Sequence, residues 1–245
     1  MTIMGNVIVD SWDTYVDNIR LVLLFSIPFI IAFLIPLFAP LPTYITGGAI
    51  FLRSASVFLN INAVGLTVII ISTFLALLFL SFAFVAISLI VKAKRTHTGH
   101  ASAVLRDVEK YTGRVFAILL IYAFVLMLVN MLGYFANLQE IVTPIVGFFL
   151  FFAIFFAPTA VVVENKRVVP AIRQSVRLMM KEPQYFVLWF LLIALVITVL
   201  DFAAIHVAGD LSSYVLLIIN SVFVLPFFVI YQAEAYMRTF SLLKH

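Results

Sequence analysis

Six stretches of this chain are apolar over a length that can cross a bilayer, and the charged residues are confined to the short segments between them. The runs are residues 21–38, 63–91, 115–136, 141–163, 185–205 and 211–231. A spanning helix needs roughly 20 such residues, and the second run is long enough to tilt or to project beyond the bilayer. Hydrophobic residues make up 65% of the 245 positions and charged residues 11%, where an ordinary soluble domain carries about 25% charged residues. Mean hydropathy is +1.22. No soluble interior of this size hides so much apolar surface, so the solvent must be lipid. The expected fold class is an all-α integral membrane protein, a single polytopic domain over residues 1–245.

Lys and Arg beside the membrane set the expected orientation. The connection between runs two and three holds Lys92, Lys94, Arg95, Arg106, Lys110 and Arg114. That between runs four and five holds Lys166, Arg167, Arg173, Arg177 and Lys181. Arg20 precedes run one, and Arg238 and Lys244 follow run six. The opposite connections hold Arg53 as their only Lys or Arg, with Glu140 and Asp210. Both termini are therefore expected on the cytoplasmic side of the plasma membrane. The opening residues lack a basic segment and a small-residue cleavage site, so they read as no signal peptide. The segment 40–62 is too apolar for a free loop and too interrupted for a span. It fits either a short interfacial or re-entrant helix after Gly47–Gly48, with Arg53 snorkelling, or an apolar loop packed on the bundle.

Three segments that precede apolar runs carry helical apolar stripes and are expected to be cytoplasmic amphipathic surface helices, at about 7–19, 101–111 and 169–181. In the first, Ile8, Val9, Trp12, Tyr15, Val16 and Ile19 oppose Asp10, Asp13, Thr14 and Asp17. In the second, Ala101, Val104, Leu105, Val108 and Tyr111 oppose Arg106, Asp107 and Lys110. In the third, Val169, Ile172, Val176, Met179 and Met180 oppose Arg173, Gln174, Arg177 and Lys181. SWDTYVDNIRLVLL aligns without a gap over DVEKYTGRVFAILL, placing Tyr15 on Tyr111. This points to three helical-hairpin repeats, although amphipathic segments beside membranes are common in polytopic proteins generally. Asp10, Asp13 and Asp17 are candidates to pair with Arg106, Lys110, Arg173 or Arg177 in a collar. The competing use of the cations, and the favoured one, is headgroup binding by Arg106, Lys110, Arg173, Arg177 and Lys181, worth about 1 kcal/mol per side chain near an anionic surface.

Ionisable residues inside a span are candidate functional groups because burying them is costly. Asp201 is the one acid well inside an apolar run, about 24 Å along it from Tyr185 at 1.5 Å per residue. Asn130 falls at a similar depth and Asn220 nearer the midplane. These three form the candidate intramembrane polar site. The alternative places Asp201 hydrated in the interface, with the two Asn residues in interhelical hydrogen bonds. At the polar ends, Glu234 and Arg238 have the i, i+4 spacing of a helical ion pair, and Glu164 is a candidate partner of Arg173 or Arg238. His97 and His100 in RTHTGH lack further ligands, and the chain has no cysteine, so no metal site is expected. Pro28, Pro36, Pro158 and Pro226 are candidate kinks. The phenylalanines 148, 149, 151, 152, 155 and 156 run most of the way round their helix, which suits lipid exposure and packing better than a ligand box.

One pattern is shared with a known family: Phe155-Phe156-Ala157-Pro158 at the end of a run, then Glu164, then Ala171 and Ser175 in an amphipathic helix, then aromatic Tyr185–Phe186. It resembles the six-span proteins similar to the membrane domain of glycerophosphodiester phosphodiesterases. The Trp12–Tyr15 helix and the Gly47–Gly48…Arg53 stretch are similar to archaeal members. The resemblance implies a multi-span helical domain without activity of its own, since in the phosphodiesterases a separate soluble domain does the chemistry.

No HExxH, GxSxG, P-loop or GxGxxG pattern occurs, and no acidic cluster suits metal-dependent headgroup transfer. The expected function is that of a non-enzymatic, cofactor-free membrane protein that binds lipids or membrane-protein partners, itself included, and no nucleic acid. The alternative is a small transporter or channel built around Asp201, with an intramembrane enzyme third. In this cysteine-free chain, a single cysteine at Ser102 should label from the cytoplasmic side and one at Ser212 from the outside. The reverse pattern would refute the orientation.

Overall fold

The computed structural model of the chain describes residues 3–38, 43–46, 48–52, 63–96 and 101–242. It is helical apart from one two-stranded hairpin. The helices are α1 (Ile3–Asp17), α2 (Ile19–Leu34), α3 (Ala63–Thr96), α4 (Ala101–Phe135), α5 (Gln139–Ile154), α6 (Ala157–Glu164), α7 (Val168–Lys181), α8 (Gln184–Ala208), α9 (Ser212–Ile219) and α10 (Leu225–Leu242). A 3-10 turn extends α2 over Ile35–Phe38, another joins α8 to α9 over Gly209–Leu211, and a π-helical segment, Asn220–Val224, joins α9 to α10. Among the described residues, five helical stretches are long and apolar enough to cross a membrane: Ile19–Leu37, Ala63–Thr96, Asp107–Phe135, Gln139–Glu164 and Gln184–Thr239.

The core gathers at the end of the molecule where the charged segments meet. On α3 the continuous buried stretch is Ala83 with Val85–Val91; on α10 it includes Ile230, Tyr231, Ala233, Ala235 and Tyr236. Helix α6 is buried from Ala157 through Val162, and the pairing of α3 with α4 and of α2 with α3 surrounds this centre. Away from it, α4, α8 and α9 present Phe124, Leu132, Leu195, Phe202 and Ile218 outward, as helices facing lipid do.

Helix α6 exists as a separate element because of Pro158. Proline lacks an N–H, and its ring would strike the carbonyl of Ile154, which favours a kink or break in α5 at this point. The break falls at Phe155–Phe156. Its freed backbone groups find side-chain partners from two other helices: the Phe156 N–H donates to Ser175 Oγ of α7 at 2.9 Å, and Gln232 Nε2 of α10 donates to the Phe155 carbonyl. Ser175 and Ala171 are fully buried, and their small side chains let α7 lie close on α6. Phe186, at the start of α8, fills the space beyond, its ring centroid 5.1–5.5 Å from those of Phe152, Phe155 and Phe148. The Phe-rich helix is thus partly a packing surface, with Phe148 and Phe149 left facing outward.

Pro226 acts in the same way on α10. Its missing N–H leaves the Val222 carbonyl without the usual i→i−4 donor, and Ser26 Oγ of α2 approaches that carbonyl at 3.4 Å. Pro28 and Pro144 lie inside α2 and α5, and Pro36 lies in the 3-10 turn.

Several expectations need correction. Residues 43–46 and 49–52 pair as antiparallel strands, not a helix: β1 (Thr43–Thr46) pairs with β2 (Ala49–Leu52) in the register Thr46↔Ala49 and Thr43↔Leu52. Gly48 takes φ +72°, and a Cβ there would come within 2.6 Å of Asn220 Cβ, so the hairpin turn rests on the π segment. Gly47, Arg53, His97, His100 and Lys244 lie outside the described residues. The segment 101–111 is not a separate surface helix, because it is continuous with the following span in the 35-residue α4; nothing between Tyr111 and Val115 interrupts the helical ladder. The segments near 7–19 and 169–181 do form separate helices, α1 and α7.

The packed faces of α1 and α7 also differ from the expectation. Helix α1 packs through Val7, Ser11, Thr14 and Tyr15, while Val9, Trp12 and Val16 point outward, as does Ile19 at the start of α2, Trp12 with 58% exposure. Helix α7 packs through Ala171, Ser175, Leu178 and Met179, while Val169, Val176 and Met180 point outward. The second segment behaves differently, with Val108, Tyr111, Val115 and Ile118 all buried.

Ser175→Ala should strip the Phe156 N–H of its acceptor inside an apolar core. The expected loss is about 1–3 kcal/mol, read as a lower midpoint of thermal unfolding in detergent, whereas a value indistinguishable from the parent chain would refute the capping role.

Candidate functional site

The charged end of the bundle sorts its ionisable groups into two sets: those that face each other and those that face outward. The inward set begins with Glu234 on α10, whose side chain is 1% exposed. An isolated buried carboxylate is prohibitive, and here it is compensated. Arg95, at the end of α3, brings Nε to Glu234 Oε2 at 2.7 Å and Nη2 to the same oxygen at 2.6 Å. Thr14 Oγ1 donates to the other oxygen at 2.9 Å. Arg95 Nη2 also meets Asp10 Oδ2 at 2.5 Å, and Arg238 binds that same Asp10 oxygen. Lys94 Nζ pairs with Asp17 Oδ2 at 2.8 Å.

Together these contacts staple α1 to α3 and α10. A cleft of about 380 Å³ lies among them, lined by Asp10, Asp13, Thr14, Lys94, Arg95 and Glu234. Burial pushes the Asp10 carboxyl up, but the Arg238 and Arg95 guanidinium groups outweigh it and hold Asp10 below its ordinary 3.8. A depressed folded value means that this contact is fully stabilising above the ordinary value. It fades as pH falls below the ordinary value and is lost through the lower folded one.

A second inward group secures the turn between α6 and α7. Asn165 takes the left-handed conformation that ends α6, and Arg114 Nη1 from α4 meets its Oδ1 at 2.8 Å and its carbonyl at 3.2 Å. Lys92 Nζ donates to the Val162 carbonyl at 2.8 Å and lies 5.5 Å from the centre of the Tyr111 ring. Glu164 pairs with Lys166 at 2.9 Å and accepts from Tyr236 Oη.

The expected acid–base collar is therefore present with different members. Asp10 and Asp17 pair, but with Arg95, Arg238 and Lys94 rather than with Arg106, Lys110, Arg173 or Arg177. Glu234 takes Arg95 and Thr14, and Glu164 takes Lys166 and Tyr236. Sequence reading missed the Arg95–Glu234 pair because 139 positions separate its members; the available signal was a lone acid in an otherwise apolar segment, which must find a cation somewhere.

Of the candidate headgroup-binding residues, Arg173, Arg177 and Lys181 are exposed on α7, without a hydrogen-bond or ion-pair partner among the described residues. Lys110 is exposed on α4, its Nζ 5.2 Å from the Tyr111 ring centre. Arg106 lies in α4, and its side chain is outside the described set.

The structure does not join Asp201, Asn130 and Asn220 by any hydrogen bond or ion pair. Asn130 Nδ2 reaches Thr143 Oγ1 of α5 at 3.5 Å. Asn220, 4% exposed in the π segment, donates from Nδ2 to the Gly48 carbonyl at 3.1 Å. Both amide oxygens, Asn130 Oδ1 and Asn220 Oδ1, are buried without a partner. Asp201 is exposed on α8. Near it, His206 Nδ1 lies 2.7 Å from the Phe202 carbonyl. No group of His, Cys, Asp and Glu suited to a metal occurs among the described residues.

Comparison with protein-family models, with curated proteins and with solved structures finds no match.

Arg95→Ala should leave Glu234 buried and unpaired at a cost of about 3–5 kcal/mol, with most of that loss recovered in Arg95→Ala/Glu234→Gln, as measured by unfolding midpoints in detergent. Equal midpoints for the single variant and the parent chain would refute the staple. Held at constant ionic strength, the Asp10 contribution should be unchanged from pH 7 to pH 5 and decline below the ordinary value of 3.8.

Proposed function

We propose that this chain is a non-enzymatic polytopic membrane protein that works by binding membrane lipids or a membrane-protein partner. The observation that carries the reading is the division of charge at one end of the bundle. Arg95, Arg238, Lys94 and Arg114 are engaged within the fold, while Arg173, Arg177 and Lys181 stand outward and form no ion pair among the described residues. Cations kept free beside exposed apolar helices suit anionic headgroups better than a substrate pocket.

Six crossings are the reading we favour. The stretch Gln184–Thr239 has 56 residues, about 84 Å of helix at 1.5 Å per residue, against a hydrocarbon core of about 30 Å. It is long enough to pass twice, turning at Gly209–Leu211. Contacts between Asp10, Arg95 and Arg238, and between Arg114 and Asn165, support one shared side for α1, the two basic connections and the end of α10. The basic residues there make that side the cytoplasmic one of the plasma membrane. Grouping the chain as three hairpins is supported by the equivalent burial of Tyr15 and Tyr111 and by the resemblance to membrane domains of glycerophosphodiester phosphodiesterases. The exposure of the α1 and α7 stripes, against burial in α4, argues for divergence among the three.

The transporter reading has one observation in its favour. Asn220 sits in a π-helical segment, an arrangement frequent at functional sites, with its amide oxygen buried and unpartnered. A flux in proteoliposomes lost in Asn220→Ala or Asp201→Asn, with folding intact, would favour it over lipid binding.

Purified from a membrane of mixed lipids, the parent chain should retain anionic lipids in native mass spectra, and Arg173→Gln/Arg177→Gln/Lys181→Gln should retain several-fold fewer. Equal retention by the two would remove α7 from the binding surface.

A further inference from the structure

Helix α7 has two apolar faces, of which the fold uses one. Ala171, Ser175, Leu178 and Met179 are buried against α5 and α6. On the outside, Val169, Val176 and Met180 are 65%, 40% and 75% exposed. Positions i, i+7 and i+11 fall within about 40° of one another on a helix of 3.6 residues per turn, so these three form a stripe. Arg173 lies beside that stripe, and Arg177 and Lys181 follow on its flank one and two further helical steps round. None of the three cations has a partner among the described residues.

Two features of the fold bear on what covers this stripe. Helix α7 leads through Glu182 and Pro183 into α8, a helix apolar enough to cross a membrane, whose Val187, Leu191 and Leu195 are exposed. Helix α1 carries a comparable outward stripe, Val9, Trp12 and Val16, but its polar flank is acidic, with Asp10 and Asp17 held by cations of the bundle. A stripe of Val and Met flanked by free Arg and Lys matches an anionic leaflet: apolar side chains at the acyl boundary and cations at the phosphates. A protein partner of acidic surface would satisfy the cations alone and leave Val169 and Met180 unexplained.

We propose that α7 inserts Val169, Val176 and Met180 shallowly into a leaflet rich in anionic phospholipid, with Arg173, Arg177 and Lys181 on the headgroup phosphates. This rests on the lipid-binding reading above, and it adds the face, the depth and the lipid class. Insertion fixes α7 in the interface plane, which in turn sets the depth at which α8 enters the bilayer.

The chain has no cysteine, so Met180→Cys gives a single site for an environment-sensitive fluorophore in the full-length protein. In nanodiscs containing phosphatidylglycerol, emission should shift to the blue and be quenched by lipids carrying a nitroxide near the headgroup more than by those labelled deep in the chain. In phosphatidylcholine nanodiscs the shift should be smaller. Arg173→Gln/Arg177→Gln/Lys181→Gln should bring the two lipids to the same value. Water-like emission in both lipids, with the label unquenched, overturns the insertion, whether or not lipid co-purifies. Failure of the general lipid reading is separate, since it appears as loss of retained lipid in unlabelled protein. Millimolar inorganic phosphate should leave the emission unchanged; reproduction of the shift by phosphate alone would overturn the assignment to lipid.

Discussion

Everything at the centre of this fold depends on how a broken helix is satisfied where water is scarce. In hydrocarbon, a backbone N–H or carbonyl without a partner is costly enough to exclude irregular structure unless neighbouring groups compensate it. Pro158 favours the break, and Ser175 and Gln232 make it tolerable by reaching Phe156 and Phe155 from α7 and α10. Those two hydrogen bonds bind the surface helix and the last helix to the same turn. The burial of Ala157–Val162, the close seating of α7 and the edge-to-face contact of Phe186 with Phe155 all follow from that one junction.

The second organising constraint is charge compensation. Glu234 is buried, so the fold brings it a guanidinium and a hydroxyl; Arg95 is then shared with Asp10, and Asp10 with Arg238. Removing a buried ion pair as a unit is often nearly neutral, while removing one member is severe, so the staple gives register to α1, α3 and α10 more than it gives raw stability. Once these cations are committed inward, those left on α7 define the outward electrostatics of this end. The functional reading follows from that partition rather than from any catalytic constellation.

That the chain holds helices long and apolar enough to cross a membrane was legible in the sequence, because apolar length is what a crossing helix requires. The Phe155-Phe156-Ala157-Pro158…Ser175 pattern was legible as a motif, though its meaning, a capped break, needed three dimensions. Periodicity showed that the segments before the spans were amphipathic, yet it could not say which side packs. In a soluble protein the apolar stripe would face the core. Here α1 and α7 pack through Thr14 and Ser175 and turn Trp12 and Met180 outward, an arrangement that the proposed lipid contact would favour. The pairing of Arg95 with Glu234 and the docking of the Gly48 turn on Asn220 were not legible, since both join residues more than a hundred positions apart.

Whether the outward face of α7 meets lipid can be read from a structure of the full chain in an anionic nanodisc, with a rigid fiducial to offset its 27.5 kDa. Headgroup density is expected within hydrogen-bonding reach of Arg173 and Arg177, with an acyl boundary that passes through Val169 and Met180. An α7 standing clear of the headgroup layer, with Met180 in water, would contradict the proposed lipid contact.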